Sequence, residues 1–299
     1  MIRFIRAALA IVLLLAVSSP VWAQPTPEQR AARERQAQED LVAERPIAAV
    51  NSLWIEELTW MEVRDQIAAG YTTAIIPTGG IEANGPYVAT GKHNVILEGL
   101  CPAIAEKLGD ALCAPIVGFV PEGAIDPPSG GMRFPGTISV RDETYAALLD
   151  DIASSLRAHG FENIVFIGDS GGNQRGMRAV AETLNERWSD SRGTAHFIEE
   201  FYSPGWEATE DYTEEVLGVA EGESDGYHDD IWVTALMMVT DPTSVRYDQR
   251  VDVGLASING VSIESLDETI LLGRQMMDFR AEFTVRAIRE AIANAGGGD

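Results

Sequence analysis

An α/β fold, with a mostly parallel sheet and helices on both faces, is predicted by three observations. Short apolar, β-branched runs end in glycine-rich punctuation, longer segments carry apolar residues at helical spacing, and the two kinds alternate along the chain. A parallel strand is covered on both faces, so it reads as a continuous apolar run rather than as an alternating one.

Taken in order, residues 71–77 (Tyr-Thr-Thr-Ala-Ile-Ile-Pro) predict a buried strand. Residues 94–108 carry apolar side chains at helical spacing and stop at Gly109, which predicts a helix. Residues 114–120 predict the next strand. Residues 142–159 predict an amphipathic helix, with Tyr145, Leu148, Leu149, Ile152 and Leu156 on one side and Gly160 at its C-terminal end. A further strand over 163–167 and a helix over 174–188 follow. In sheets of this kind ligands bind outside the carboxyl ends of the strands, so the loops carrying Glu82 and Asp169, each of which follows a strand, are expected at one edge.

Residues 1–23 place Arg3 and Arg6 ahead of an apolar run over 7–17, with Val21-Trp22-Ala23 as a small-residue cleavage site. That pattern is a secretory signal peptide, and its apolar run is well short of the ~20 residues that span a bilayer. The expected location is therefore outside the cytoplasm, periplasmic or secreted, with no membrane association after cleavage. Residues 24–50 read as a charged linker and 51–299 as one domain without internal repeats. The formal net charge of −24 argues against nucleic acid as a partner, because a phosphate backbone is held by clustered Lys and Arg. Export permits a disulfide between Cys101 and Cys113. Two buried thiols fit the sequence equally, and neither cysteine has the His or Cys company of a zinc site.

Three stretches carry the chemistry. Residues 77–86 (Pro-Thr-Gly-Gly-Ile-Glu-Ala-Asn-Gly-Pro) run on to Gly91-Lys92-His93-Asn94; Phe134-Pro-Gly-Thr-Ile-Ser139 follows, and then Ile167-Gly-Asp-Ser-Gly-Gly-Asn173. In that order they resemble the creatininase (creatinine amidohydrolase) family, over about residues 53–272. The resemblance implies an α/β fold of that type, hydrolysis of an amide-type C–N bond in a small amide or cyclic amide, a paired divalent-metal site and assembly into homo-oligomers. Glu82 stands at the family's first metal-binding carboxylate. The family's His ligands after it fall on Asn84 and Tyr87, its metal-bridging Asp on His93, its next His on Ser170 and a further metal-binding Glu on Gly172. Asp169 is a carboxylate beside the altered position. By the same resemblance His228 matches a proton-transferring His and Asp225 an Asp three residues before it, while Asp229 and Asp230 are new.

Glu82, His93, Asp169 and Asp230 together offer hard oxygen and imidazole donors suited to Zn²⁺, Mn²⁺ or Fe²⁺. An imidazole binds one ion through one nitrogen whereas a carboxylate spans two, so His93 at the bridging position implies one divalent metal per chain. The expected partner is a small-molecule substrate, with His228 and Asp225 as catalytic residues. Two other readings remain open. Gly168-Asp-Ser170 followed by Asp225 and His228 resembles a serine esterase family with Ser170 as nucleophile, and the displaced ligands fit a binding or scaffold protein that has lost catalysis.

Overall fold

The computed structural model describes residues 25–190 and 192–296, so the expected signal peptide over residues 1–23 lies outside the described residues. By its internal contacts the chain divides into a unit ending at Ile47 and a unit starting at Ala48. In the first, α1 (Pro27–Val42) opens with a capping box in which Thr26 and Gln29 satisfy each other's backbone N–H, and it buries no residue. The charged linker of the sequence is thus helical over most of its length. Among the described residues no helix is long and apolar enough to cross a membrane.

The second unit begins with α2 (Trp60–Ala68), capped by Thr59 and Glu62 in the same reciprocal way. There follow β1 (Thr73–Thr78), α3 (Lys92–Leu108), β2 (Ala111–Cys113), α4 (Asp142–Ala158), β3 (Asn163–Gly168), α5 (Gln174–Trp188) and β4 (Thr194–Phe197). The four strands form one parallel sheet in the order β2-β1-β3-β4. The remainder is α6 (Gly205–Asp211), α7 (Ile231–Thr240), α8 (Tyr247–Asp252), a small hairpin of β5 (Ser257–Ile258) and β6 (Val261–Ser262), and the long α9 (Leu266–Gly296).

Successive strand residues face opposite layers. Ile75, Val165 and Ile167 join the core built with α3, α7 and α9, while Ala74, Ile76, Ile164 and Phe166 join the core built with α4 and α5. The strand expected over 114–120 is displaced: regular pairing covers only Ala111–Cys113. Pro115 has no N–H to give, so the chain follows β1 only intermittently, through Ala114 N–H to Ile75 O and Val117 N–H to Pro77 O. Leu148, expected on the buried side of α4, is 41% exposed, and Ala153 is buried with Tyr145 and Leu149 instead.

Cys101 on α3 and Cys113 on β2 form a disulfide. It closes a loop with a sequence separation of 12, for which loop-closure entropy gives about 3 kcal/mol of stabilisation. Replacing both cysteines by Ala is expected to lower the unfolding free energy by about that amount, and thermal melts with and without reductant should show the same loss in the native protein. Coincident melts would mean that the bridge contributes nothing.

Candidate active site

The loops carrying Glu82 and Asp169 leave the carboxyl ends of β1 and β3, which pair side by side. After β1 the chain turns through Gly79 and Gly80, and Gly80 N–H donates to Asn94 Oδ1 at 3.1 Å. A Cβ on Gly79 would fall 1.9 Å from that same oxygen and push the Asn94 side chain off Gly80. After β3, Asn173 Nδ2 donates to the carbonyls of Thr78 and Gly79, both at 2.9 Å, and ties the two loops together. Gly172 passes so close to Pro121 O that a Cβ would meet it at 1.9 Å. The 134–139 stretch holds two carboxylate loops. Thr137 Oγ1 accepts Ala83 N–H at 2.9 Å, and Ser139 Oγ accepts Glu122 N–H at 2.9 Å while donating to Gly123 O at 2.8 Å.

These loops enclose a cavity of about 480 Å³, lined by Glu82, Lys92, His93, Glu122, Asp169, Ser170, Tyr202, Trp206, His228 and Asp230 among others. Glu82, His93 and Asp169 meet directly. His93 Nδ1 lies 2.8 Å from Asp169 Oδ2 and His93 Nε2 lies 3.3 Å from Glu82 Oε2. Burial alone would lower the His93 pKa, but the hydrogen bonds to Asp169 and Glu82 outweigh it and hold the ring above its usual range. The His93 hydrogen bond, prevailing over burial, holds Glu82 below the ordinary carboxylate range.

Behind Asp169 stands Arg280 of α9, fully buried. Its Nη2 donates to Asp169 Oδ1 at 3.3 Å and to Phe201 O at 2.9 Å. The guanidinium carbon lies 3.2 Å from the centroid of the Trp206 ring and 4.6 Å from that of Phe201, so the ring faces cover what hydrogen bonds leave open. Burial brings the Arg280 pKa down to about 10, which leaves it cationic at neutral pH. The second cation, Lys92, is 5% exposed. Its Nζ donates to Asn84 Oδ1 at 2.8 Å and approaches His228 O at 3.5 Å. Burial lowers its pKa, against the pull of Glu82, Asp169 and Glu122.

Glu122 is the carboxylate that the sequence reading does not single out. It is 8% exposed, accepts Ser170 Oγ–H at 3.2 Å, and its Oε1 is buried without a hydrogen-bond partner. Burial, reinforced by the negative charge of Glu82, pushes its pKa up to about 7. A carboxyl poised there exchanges protons at neutral pH.

The other expected residues fare differently. Asp230 lines the cavity, but its Oδ1 accepts from Asn259 Nδ2 at 3.1 Å and Ser224 Oγ at 3.3 Å, and it belongs to the loop before α7. His228 lines the cavity in a left-handed backbone conformation, φ 55°. Asp225 is not among the lining residues; its Oδ1 accepts Tyr227 N–H at 2.9 Å and so shapes its own loop. The hydroxyl of Ser170 goes to Glu122, an acceptor the esterase reading does not use.

Of the four expected metal donors, Glu82, His93 and Asp169 are brought together and Asp230 lines the same cavity. Three of them make a hydrogen-bonded chain in which both His93 nitrogens already face carboxylates, and the fourth is tied to a different loop. Among the described residues no group of three or more His, Cys, Asp and Glu side chains is arranged to hold a metal ion.

The chain matches the family model of creatininase, creatinine amidohydrolase, over residues 56–279. It is 26% identical over 211 residues to a creatinine amidohydrolase of Pseudomonas putida, covering 67% of this chain and 76% of that protein. Among solved structures, one described as "Creatininase Mn" superposes with a TM-score of 0.57 at 21% identity, covering 82% of this chain and 99% of its own. A mutant creatininase complexed with creatine superposes with a TM-score of 0.56 at 21% identity, covering 80% and 98%.

Proposed function

The chain belongs to the creatininase family, and we propose that it hydrolyses an amide-type C–N bond of a small molecule, an open-chain or cyclic amide, outside the cytoplasm. The observation that carries this reading is the cavity in which Glu122, with one carboxylate oxygen unpartnered, shares the lining with Lys92 and His228. Amide hydrolysis needs a group that takes a proton from water and returns one to the leaving nitrogen, and positive charge where the carbonyl oxygen becomes an oxyanion. Glu122 meets the first need, with His228 as a second proton-transferring group in the same lining. The ammonium of Lys92 meets the second. His93 is held by Asp169 and Glu82 and fixes the wall between them. The disulfide between Cys101 and Cys113 supports an oxidising compartment, in accord with the leader-like residues 1–23.

The test is an assay of ring opening and amine release against a panel of small cyclic and linear amides, creatinine among them. Cleavage of at least one is expected, and Lys92→Met should lower kcat about 10²-fold by removing the charge at the oxyanion. A panel left intact by a protein that binds its members in calorimetry would replace hydrolysis with ligand binding alone.

A further inference from the structure

We propose that this pocket has exchanged the metal ions of its family for two of its own side-chain cations, Lys92 and Arg280, and binds no divalent metal. The inference rests on where each altered ligand position points. Asn84 stands where the family has a histidine, and its Oδ1 accepts the Lys92 ammonium at 2.8 Å. An amine donor therefore occupies the space beside that position. Tyr87, at the next histidine position, lies under the Arg250 guanidinium, 4.4 Å from carbon to ring centroid. Ser170, at the third, spends its hydroxyl on Glu122. Gly172 has no side chain, and its close contact with Pro121 O leaves no room for one. Of the family's ligands only Glu82 keeps its identity.

The charges close without an ion. Along one line run Glu82, His93, Asp169 and Arg280, each within hydrogen-bond distance of the next, with acidic and basic groups alternating. Asp169 is 1% exposed and Arg280 is fully buried; a buried carboxylate needs a partner, and this one has a permanent cation. A metal at His93 Nε2 would have to separate that nitrogen from Glu82 and sit in a pocket that also holds the Lys92 ammonium. Like charges repel it there, and among the described residues no third His, Cys, Asp or Glu is arranged with those two to hold an ion.

The inference does not depend on hydrolysis, and its test reads metal rather than turnover. The full mature chain, purified without chelators from medium supplemented with Zn²⁺ and Mn²⁺, is expected to carry less than roughly 0.1 equivalent of either by plasma mass spectrometry, where a family-type site would hold one or more. Addition of ten equivalents of each metal should leave the melting temperature unchanged, because an ion that binds only the folded state must raise it. One equivalent of metal in the wild type that is absent from Glu82→Gln would overturn the proposal, as would a melting temperature raised by metal in the wild type and not in that variant. A converse experiment restores the family's side chains, Asn84→His, Lys92→Thr, His93→Asp and Ser170→His together. If folded by circular dichroism, this variant is expected to take up metal that the wild type refuses; equal uptake by both would count against the proposal. Should it fail to fold, the wild-type measurements decide the question alone.

Discussion

Arg280→Met is expected to lower the unfolding free energy by about 3–5 kcal/mol, the usual cost of removing one member of a buried ion pair. The reason is Asp169, 1% exposed, whose Oδ1 receives the Arg280 guanidinium and whose Oδ2 faces His93 Nδ1. Without the arginine that carboxylate keeps one hydrogen bond and no permanent countercharge. Denaturant titration measures the loss. Arg280→Met combined with Asp169→Asn should recover part of it, since two neutral partners avoid the stranded charge. A single-variant loss below about 1 kcal/mol would mean that the pair adds no more than an exposed one.

Glu122→Gln is expected to have the largest effect on catalysis, a fall in kcat of about 10²–10⁴-fold together with loss of the pH dependence centred near pH 7. Its effect on stability has the opposite sign. The folded-state pKa of Glu122 is raised to about 7 by burial, so its contribution is fully present below the ordinary carboxylate pKa and is lost as pH rises through 7. Glutamine, neutral throughout, escapes that loss. The variant should therefore gain on the wild type between about pH 5 and pH 8, by about 1–2 kcal/mol once the access of the cavity to solvent is allowed for. Parallel stability curves at pH 5 and pH 8 would show that Glu122 titrates normally, and would remove it as the proton-transferring group.

How far the site is legible in the sequence depends on how local its signals are. The strand-to-loop junctions at Glu82 and Asp169 are readable because apolar runs and glycines bracket them, and the sheet topology then brings both to one edge. His93 is readable through the family resemblance, which sets it at the metal-bridging position, and the structure places it at the start of α3. Lys92 is passed over because a lysine at a helix start reads as solvated, and only the fold shows it turned toward Asn84. Glu122 sits in a loop without periodicity and gains its environment from Ser139 and Ser170, which are 17 and 48 residues away. Arg280 left a usable signal. It lies in register with Gly273, Met276, Met277, Ala281 and Thr284 on the buried stripe of α9, and an arginine at a core position of an amphipathic helix implies a buried acidic partner. The contact that ties Asp230 to its own loop is invisible in sequence, since Asn259 is 29 residues further on.

The ion pair between Asp169 and Arg280 joins residues 111 apart, and Arg280 belongs to α9, the last helix among the described residues. A ribosome delivers the strands and their loops before α9. Until then a nascent chain has the cavity's acidic side without its buried counterion, and the walls around His93 have nothing to lean on. The pocket is thus completed from two distant parts of the chain: fragments cut short before α9, or proteins clipped ahead of Arg280 within it, would hold every residue of the sheet edge without the buried counterion of Asp169.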